Sequence, residues 1–179
     1  MGPLFEMRER CMKEIEEEIR EKIYKIAKSY ENSTDWSFYE KRQAKKNPTV
    51  LFGEKSYKCN LFVYEVLLEA GCSIGAPRKT LKVLPFINRP HTARDWFNGE
   101  VKLFDFIGEN DDGRENCQRG DIITSGTHMG IVGNDETISQ SAVEDKIVIN
   151  DWGFREEEEE EEDFRFYRFN LSKDYYFNI

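Results

Sequence analysis

The chain contains no apolar run long enough to span a bilayer, which excludes a helical membrane protein. It has only two histidines, His91 and His128, and four cysteines, Cys11, Cys59, Cys72 and Cys117. No CxxC or HxxxH spacing occurs among them, so a structural zinc site is not expected. The first residues, MGPLFEMRERCMKEIEEEIREK, are too charged for a secretory signal, which predicts a cytoplasmic location and free thiols rather than disulfides. Clustered positive charge is also missing. The formal net charge is -9, which argues against phosphate neutralisation and hence against nucleic-acid binding. Much of that charge is local, because Glu156 to Asp163 is an unbroken run of eight carboxylates. The run reads as a solvated loop, and the rest of the chain is close to neutral.

What is present is enough for one core. Hydrophobic residues make up 39% of the 179 positions, which excludes a wholly disordered chain. Met12, Ile15, Ile19, Ile23, Ile26 and Tyr30 recur at spacings of three and four, which predicts an amphipathic helix from about Leu4 to Tyr30 that caps the domain or meets a partner. Residues 31–58 read as polar and irregular, with a turn at Asn47-Pro48. A second helix is expected over Cys59 to Ala70, with Gly71 as its stop. HTARDWFNG suggests a short helix within an otherwise loop-rich segment. After Gly120 the pattern becomes short and β-branched. DIITS, HMGIVG, ETISQS, KIVIND and FRFYRFN read as antiparallel strands separated by turns. Helices first and strands afterwards predict an α+β domain, with residues 1–50 forming the N-terminal helix and connection and 51–179 the core.

Cys59 falls in the first turn of the second helix, on the apolar stripe formed with Phe62, Val63, Val66, Leu67 and Ala70. Free N–H groups and the helix dipole favour an anion there, so a lowered thiol pKa is expected, with Lys58 adding positive potential. The competing reading is a small buried hydrophobe. His128 opens a strand in GTHMGIVG, where imidazole can take a thiol proton across the fold. His91, in RPHTARDW, is the other candidate base, read as part of a surface loop. Cys72, Cys117 and Cys11 have no evident activating surroundings.

The segments KCNLFVYEVLLEAG, QRGDIITSGTHMGIVG and VINDWGF together resemble the NlpC and CHAP families of papain-like cysteine peptidases and amidases, over about residues 55–155. The resemblance implies a papain-like α+β core with helices packed on an antiparallel sheet, plus an extra N-terminal helix. It implies amide hydrolysis by a Cys59 thiolate with His128 as base, usually on the peptide stems of peptidoglycan, with no metal or organic cofactor. For the third member it points to Asp151 by the CHAP pattern, with Asn150 next, and to Ser139 by the NlpC pattern. Asn150 and Asp151 are equally compatible with a simple turn. Two alternatives stay open: an intracellular papain-like amidase or acyltransferase with another substrate, and an inactive binding module of the same fold.

Overall fold

The computed structural model describes residues 3–72, 74, 89–151, 154 and 163–175. Most of the acidic run therefore lies outside the described residues, as do Trp152 of the NDW segment and most of the loop-rich stretch after Gly71. Helix α1 covers Pro3–Ser29 and helix α2 covers Cys59–Ala70, close to the ranges expected from periodicity. Gly71 ends α2 in the left-handed region at φ 99°, where a residue without Cβ is unstrained. Helix α3, Ala93–Phe97, starts with a reciprocal capping box between Thr92 and Asp95.

Six strands form one antiparallel sheet: β3 (Phe104–Glu109), β4 (Ile122–Thr124), β5 (Met129–Val132), β6 (Thr137–Ser141), β7 (Lys146–Asn150) and β8 (Arg165–Phe169). Their order is β3-β8-β4-β5-β6-β7. The five strands expected after Gly120 are thus all present. The expected α+β class, with helices packed on an antiparallel sheet and an added N-terminal helix, is what the chain forms.

Two segments depart from the sequence reading. Residues 31–58 are not irregular throughout: β1 (Arg42–Ala44) and β2 (Asn47–Phe52) pair as a hairpin. Its strands lack apolar alternation because little of it is buried except Ala44 and Val50. The hairpin is tied down from outside. Glu65 of α2 is 7% exposed, and its carboxylate accepts from Trp36 Nε1 at 2.7 Å, Arg42 Nε at 2.9 Å and the Lys45 amide at 2.7 Å. Arg42 Nη2 also lies 2.9 Å from Glu65 Oε2, so the guanidinium meets that oxygen with two nitrogens. The second departure is β3 with helix α4 (Asn110–Asn116), which precede the other sheet strands. Alternation in β3 is weak because it is an edge strand whose ladder to β8 slips between Phe106 and Gly108.

The main core lies between the helices and one sheet face. Leu61, Phe62, Val66 and Leu67 of α2 meet Met129, Ile131, Ile138 and Ile147 of the sheet. Val63, Tyr64 and Glu65 are buried as well, so α2 is enclosed on nearly every side rather than along one stripe. Helix α1 joins this core only with its second half, through Ile23, Tyr24 and Ala27, while Phe5, Met7 and Ile15 remain exposed. The opposite sheet face carries a smaller cluster of Ile123, Val132 and Phe166, with Phe154 and Phe164 against it.

The Gly120–Asp121 step before β4 has a structural role. Gly120 sits at φ 87° with the backbone of Arg20 pressed against it, leaving no room for a side chain. Asp121 is fully buried, accepting from the Gln118 amide at 2.8 Å and from Arg168 Nε and Nη2 at 3.1 and 2.7 Å. That pair fastens β4 to β8 at mid-sheet.

Candidate active site

Cys59 is the first residue of α2 and is 4% exposed. The backbone N–H groups of Cys59 itself, Asn60 and Met129 lie near enough to its sulfur to favour the thiolate. The third donor arrives from β5 because the β5–β6 ladder ends at Ile131 and Ile138. Residues 129 and 131 share one orientation in the strand, so the Met129 amide turns toward the side where that pairing has stopped. The thiol occupies that fork and thereby lies one residue from His128.

The electrostatics differ from the expected activation. Burial pushes the Cys59 thiol up to about 11, and the three amide donors offset only part of this. The helix N-terminus is present as expected, but the loss of water outweighs it, so the resting group is a protonated thiol. Lys58 contributes differently from expectation too. It is fully buried, and its ammonium donates to the carbonyls of Ser37 at 2.6 Å, Ser56 at 3.1 Å and Phe38 at 3.4 Å. Burial lowers its pKa, with Asp145 opposing.

His128 is half-buried and closes a tight turn between β4 and β5. Its carbonyl accepts from the Ser125 amide at 3.0 Å and lies 3.1 Å from Thr124 Oγ1, while its amide donates to Ser125 Oγ at 3.3 Å. The imidazole stands edge-on to Phe154, with centroids 4.5 Å apart. Phe154 also lies over Gly130, where an added Cβ would meet it at 3.2 Å. The ring therefore belongs to the sheet face that carries Phe154, while the Met129 side chain lies on the face carrying α2.

The candidates for a third member are separated by register. Val132 pairs with Thr137, and Thr137 pairs with Asn150. Asn150 and Asp151 thus sit at the Val132 end of the sheet, about 13 Å along β5 from His128 at ~3.3 Å per residue. Asp151 is exposed, and its carbonyl accepts from Thr137 Oγ1 at 3.3 Å. The structure does not bring Asp151 or Asn150 to His128. Ser139 lies closer: it is 1% exposed and neighbours Gly130, with 3.0 Å between its Cβ and the Cβ direction of the glycine. His91 is half-buried just before α3, whose first residue, Ala93, accepts at its carbonyl from Thr124 Oγ1 at 3.0 Å beside the His128 turn.

Gln140 escapes the sequence reading altogether. It is fully buried on β6, one position past Ser139, and by register stands beside Met129 at the fork that holds the thiol. Its Nε2 donates to the Ser141 carbonyl at 2.9 Å, and its Oε1 has no hydrogen-bond partner among the described residues. The available signal was a large amide at an inward position of an otherwise β-branched strand.

Two surface clefts lie elsewhere. One of about 500 Å³ is bordered by Arg20, Arg114 and Arg119, and one of about 600 Å³ by Phe106, Arg165 and Tyr167. Neither includes Cys59 or His128. Among the described residues no cluster of metal-ligating side chains occurs, and no helix is long and apolar enough to cross a membrane. No protein-family model, no curated protein and no solved structure matches this chain.

Proposed function

We propose that the protein is a cysteine hydrolase of amide bonds, with Cys59 as nucleophile and His128 as proton acceptor. The observation that carries this reading is the packing of Cys59, first residue of α2, in the same core as Met129, first residue of the strand that His128 precedes. Because burial raises the thiol pKa, no standing ion pair forms, and the proton moves to imidazole only as substrate arrives and sulfur bonds to carbon. The S–H proton passes to His128 as sulfur bonds to the carbonyl carbon, a step that requires the imidazole to swing from its contact with Phe154 to the α2 side of β5. The C–N bond then breaks, and the amine leaves with that proton. Water next cleaves the thioester, giving a carboxylic acid and restoring the thiol. The amides of Cys59 and Asn60 supply donors for the oxyanion.

Sequence resemblance favours peptide stems of peptidoglycan as substrate, and a papain-like core as the finer description of the fold. The third residue is left to Ser139 or to a main-chain group, since Asp151 stands at the other end of the sheet. A second reading, an inactive binding module, is favoured by one observation, the burial of Cys59. Digestion of peptidoglycan fragments, followed by amine release, separates the two. The hydrolase reading expects turnover that Cys59→Ser and His128→Ala both abolish with the fold intact. Turnover unaffected by Cys59→Ser would overturn it.

A further inference from the structure

We propose that Gln140 is a positioning residue for His128, its side-chain oxygen accepting the second ring N–H once the imidazole has swung to the α2 side of β5. This role rests on the reading of Cys59 as nucleophile and His128 as proton acceptor, and it fills the place that Asp151 is too distant to take.

The first observation is a buried acceptor without a donor. Gln140 is fully buried, and its Nε2 donates to the Ser141 carbonyl at 2.9 Å, while Oε1 has no hydrogen-bond partner among the described residues. An unpaired amide oxygen in a core costs stability, and an apolar side chain of similar size avoids that cost. The cross-strand partner of Gln140 is Ile147, and Ile138 lies two residues before it, so the amide stands in an otherwise apolar layer.

The second observation is the face on which it lies. The β6–β7 register runs unbroken from Thr137 to Ser141, so successive β6 side chains alternate between the two faces. Ile138 and Ile147 belong to the core shared with α2, which puts Gln140 on the same face as Cys59. Ser139 points the other way. A Cβ added at Gly130 would meet Ser139 Cβ at 3.0 Å and Phe154 Cε1 at 3.2 Å, so Ser139 shares the face on which the imidazole rests against Phe154. After the swing, Ser139 is behind the sheet and Gln140 is in front of it.

The third observation is place along the strand. Ile131 pairs with Ile138, and the approach of Ser139 to Gly130 continues that register, which sets Met129 opposite Gln140. Opposed residues have Cβ atoms about 4.5–5.5 Å apart. Gln140 therefore stands across from the residue that follows His128. An amide oxygen accepting from one ring nitrogen fixes the tautomer, leaves the other nitrogen bare toward the thiol, and stabilises the imidazolium as sulfur gives up its proton.

The test measures kcat and KM of the whole chain on peptidoglycan peptide fragments. Gln140→Leu removes the acceptor at nearly constant volume, so it should fold with an unchanged or higher thermal midpoint. Its kcat should fall roughly ten- to hundredfold, as for loss of a hydrogen bond to a charged group, with KM within about twofold of the unaltered protein. Gln140→Glu keeps an oxygen at that position and should retain kcat within about threefold. Circular dichroism checks both folds. An unchanged kcat in Gln140→Leu, with turnover still lost in Cys59→Ser, would overturn the role of Gln140 and leave the nucleophile reading standing. So would kcat and thermal midpoint falling together in Gln140→Leu, or a folded Gln140→Glu as impaired as Gln140→Leu. Absence of Cys59-dependent turnover in the unaltered protein would overturn the hydrolase reading, and the role of Gln140 with it.

Discussion

Replacing Glu65 by alanine should be among the most destabilising single changes in this chain. The carboxylate sits in the middle of α2 at 7% exposure, and it is the acceptor for the Trp36 indole, the Arg42 guanidinium and the Lys45 amide. The Arg42 side chain is itself only 12% exposed and lies 4.4 Å from the Trp36 ring centroid. Truncation leaves a buried cation and two N–H groups without their acceptor. Breaking a buried pair from one side costs about 3–5 kcal/mol. The unpaired amides do not add in full, because they share one acceptor and a relaxed site admits water. For a domain whose total stability is of order 5–15 kcal/mol, that is a large share. The midpoint of thermal unfolding should fall by roughly 6–20 °C at about 2–4 °C per kcal/mol. Urea denaturation followed by tryptophan fluorescence reads the change directly, since Trp36 touches the site. Glu65→Gln keeps an oxygen acceptor and should lose less than the alanine variant. A loss below about 1 kcal/mol for Glu65→Ala would refute the claim that this carboxylate holds the β1–β2 hairpin to α2.

Three further outcomes follow from the site. Alkylation of Cys59 by iodoacetamide should rise toward pH 11 rather than near the ordinary 9.0, and exposed Cys11 should react first at pH 8; prior labelling of Cys59 at neutral pH would contradict the desolvated thiol. Because the folded state holds the Cys59 proton through the window from 9 to about 11 in which the unfolded chain loses it, this contribution is intact below pH 9 and lost as pH rises to 11. It amounts to about 2–3 kcal/mol, and the loss should be smaller in Cys59→Ala when unfolding is measured at pH 8 and pH 11. Lys58→Met leaves the three carbonyls without a buried donor and should cost about 1–3 kcal/mol in urea denaturation, with an unchanged midpoint refuting the cage.

Much of the fold was legible where local signals and burial agree. Gly71 ended α2 because only a left-handed residue suits that position, and the β-branched segments after Gly120 became strands because their inward residues meet α2. The β1–β2 hairpin was illegible because its support is Glu65, twenty or more residues away, rather than any alternation of its own. The site was legible in part. Cys59 and the residue after His128 do meet, but spacing along the chain carries no register, so it could not show that Asp151 faces the opposite end of the sheet. The sign of the Cys59 shift was missed for a similar reason: dipole and N–H donors are readable from position, whereas complete burial depends on what packs above the helix start. Gln140 is a polar residue in a short strand, and sequence alone does not show that its amide faces the core rather than solvent.

The most direct test of the hydrolase account is acid-quenched intact-mass analysis of the protein mixed with peptidoglycan peptide fragments. The account predicts a transient acyl adduct that peptide mapping places on Cys59, sensitive to hydroxylamine as a thioester, and absent from Cys59→Ser and His128→Ala. Amide cleavage that proceeds in Cys59→Ser, or an adduct mapped to another residue, would contradict it.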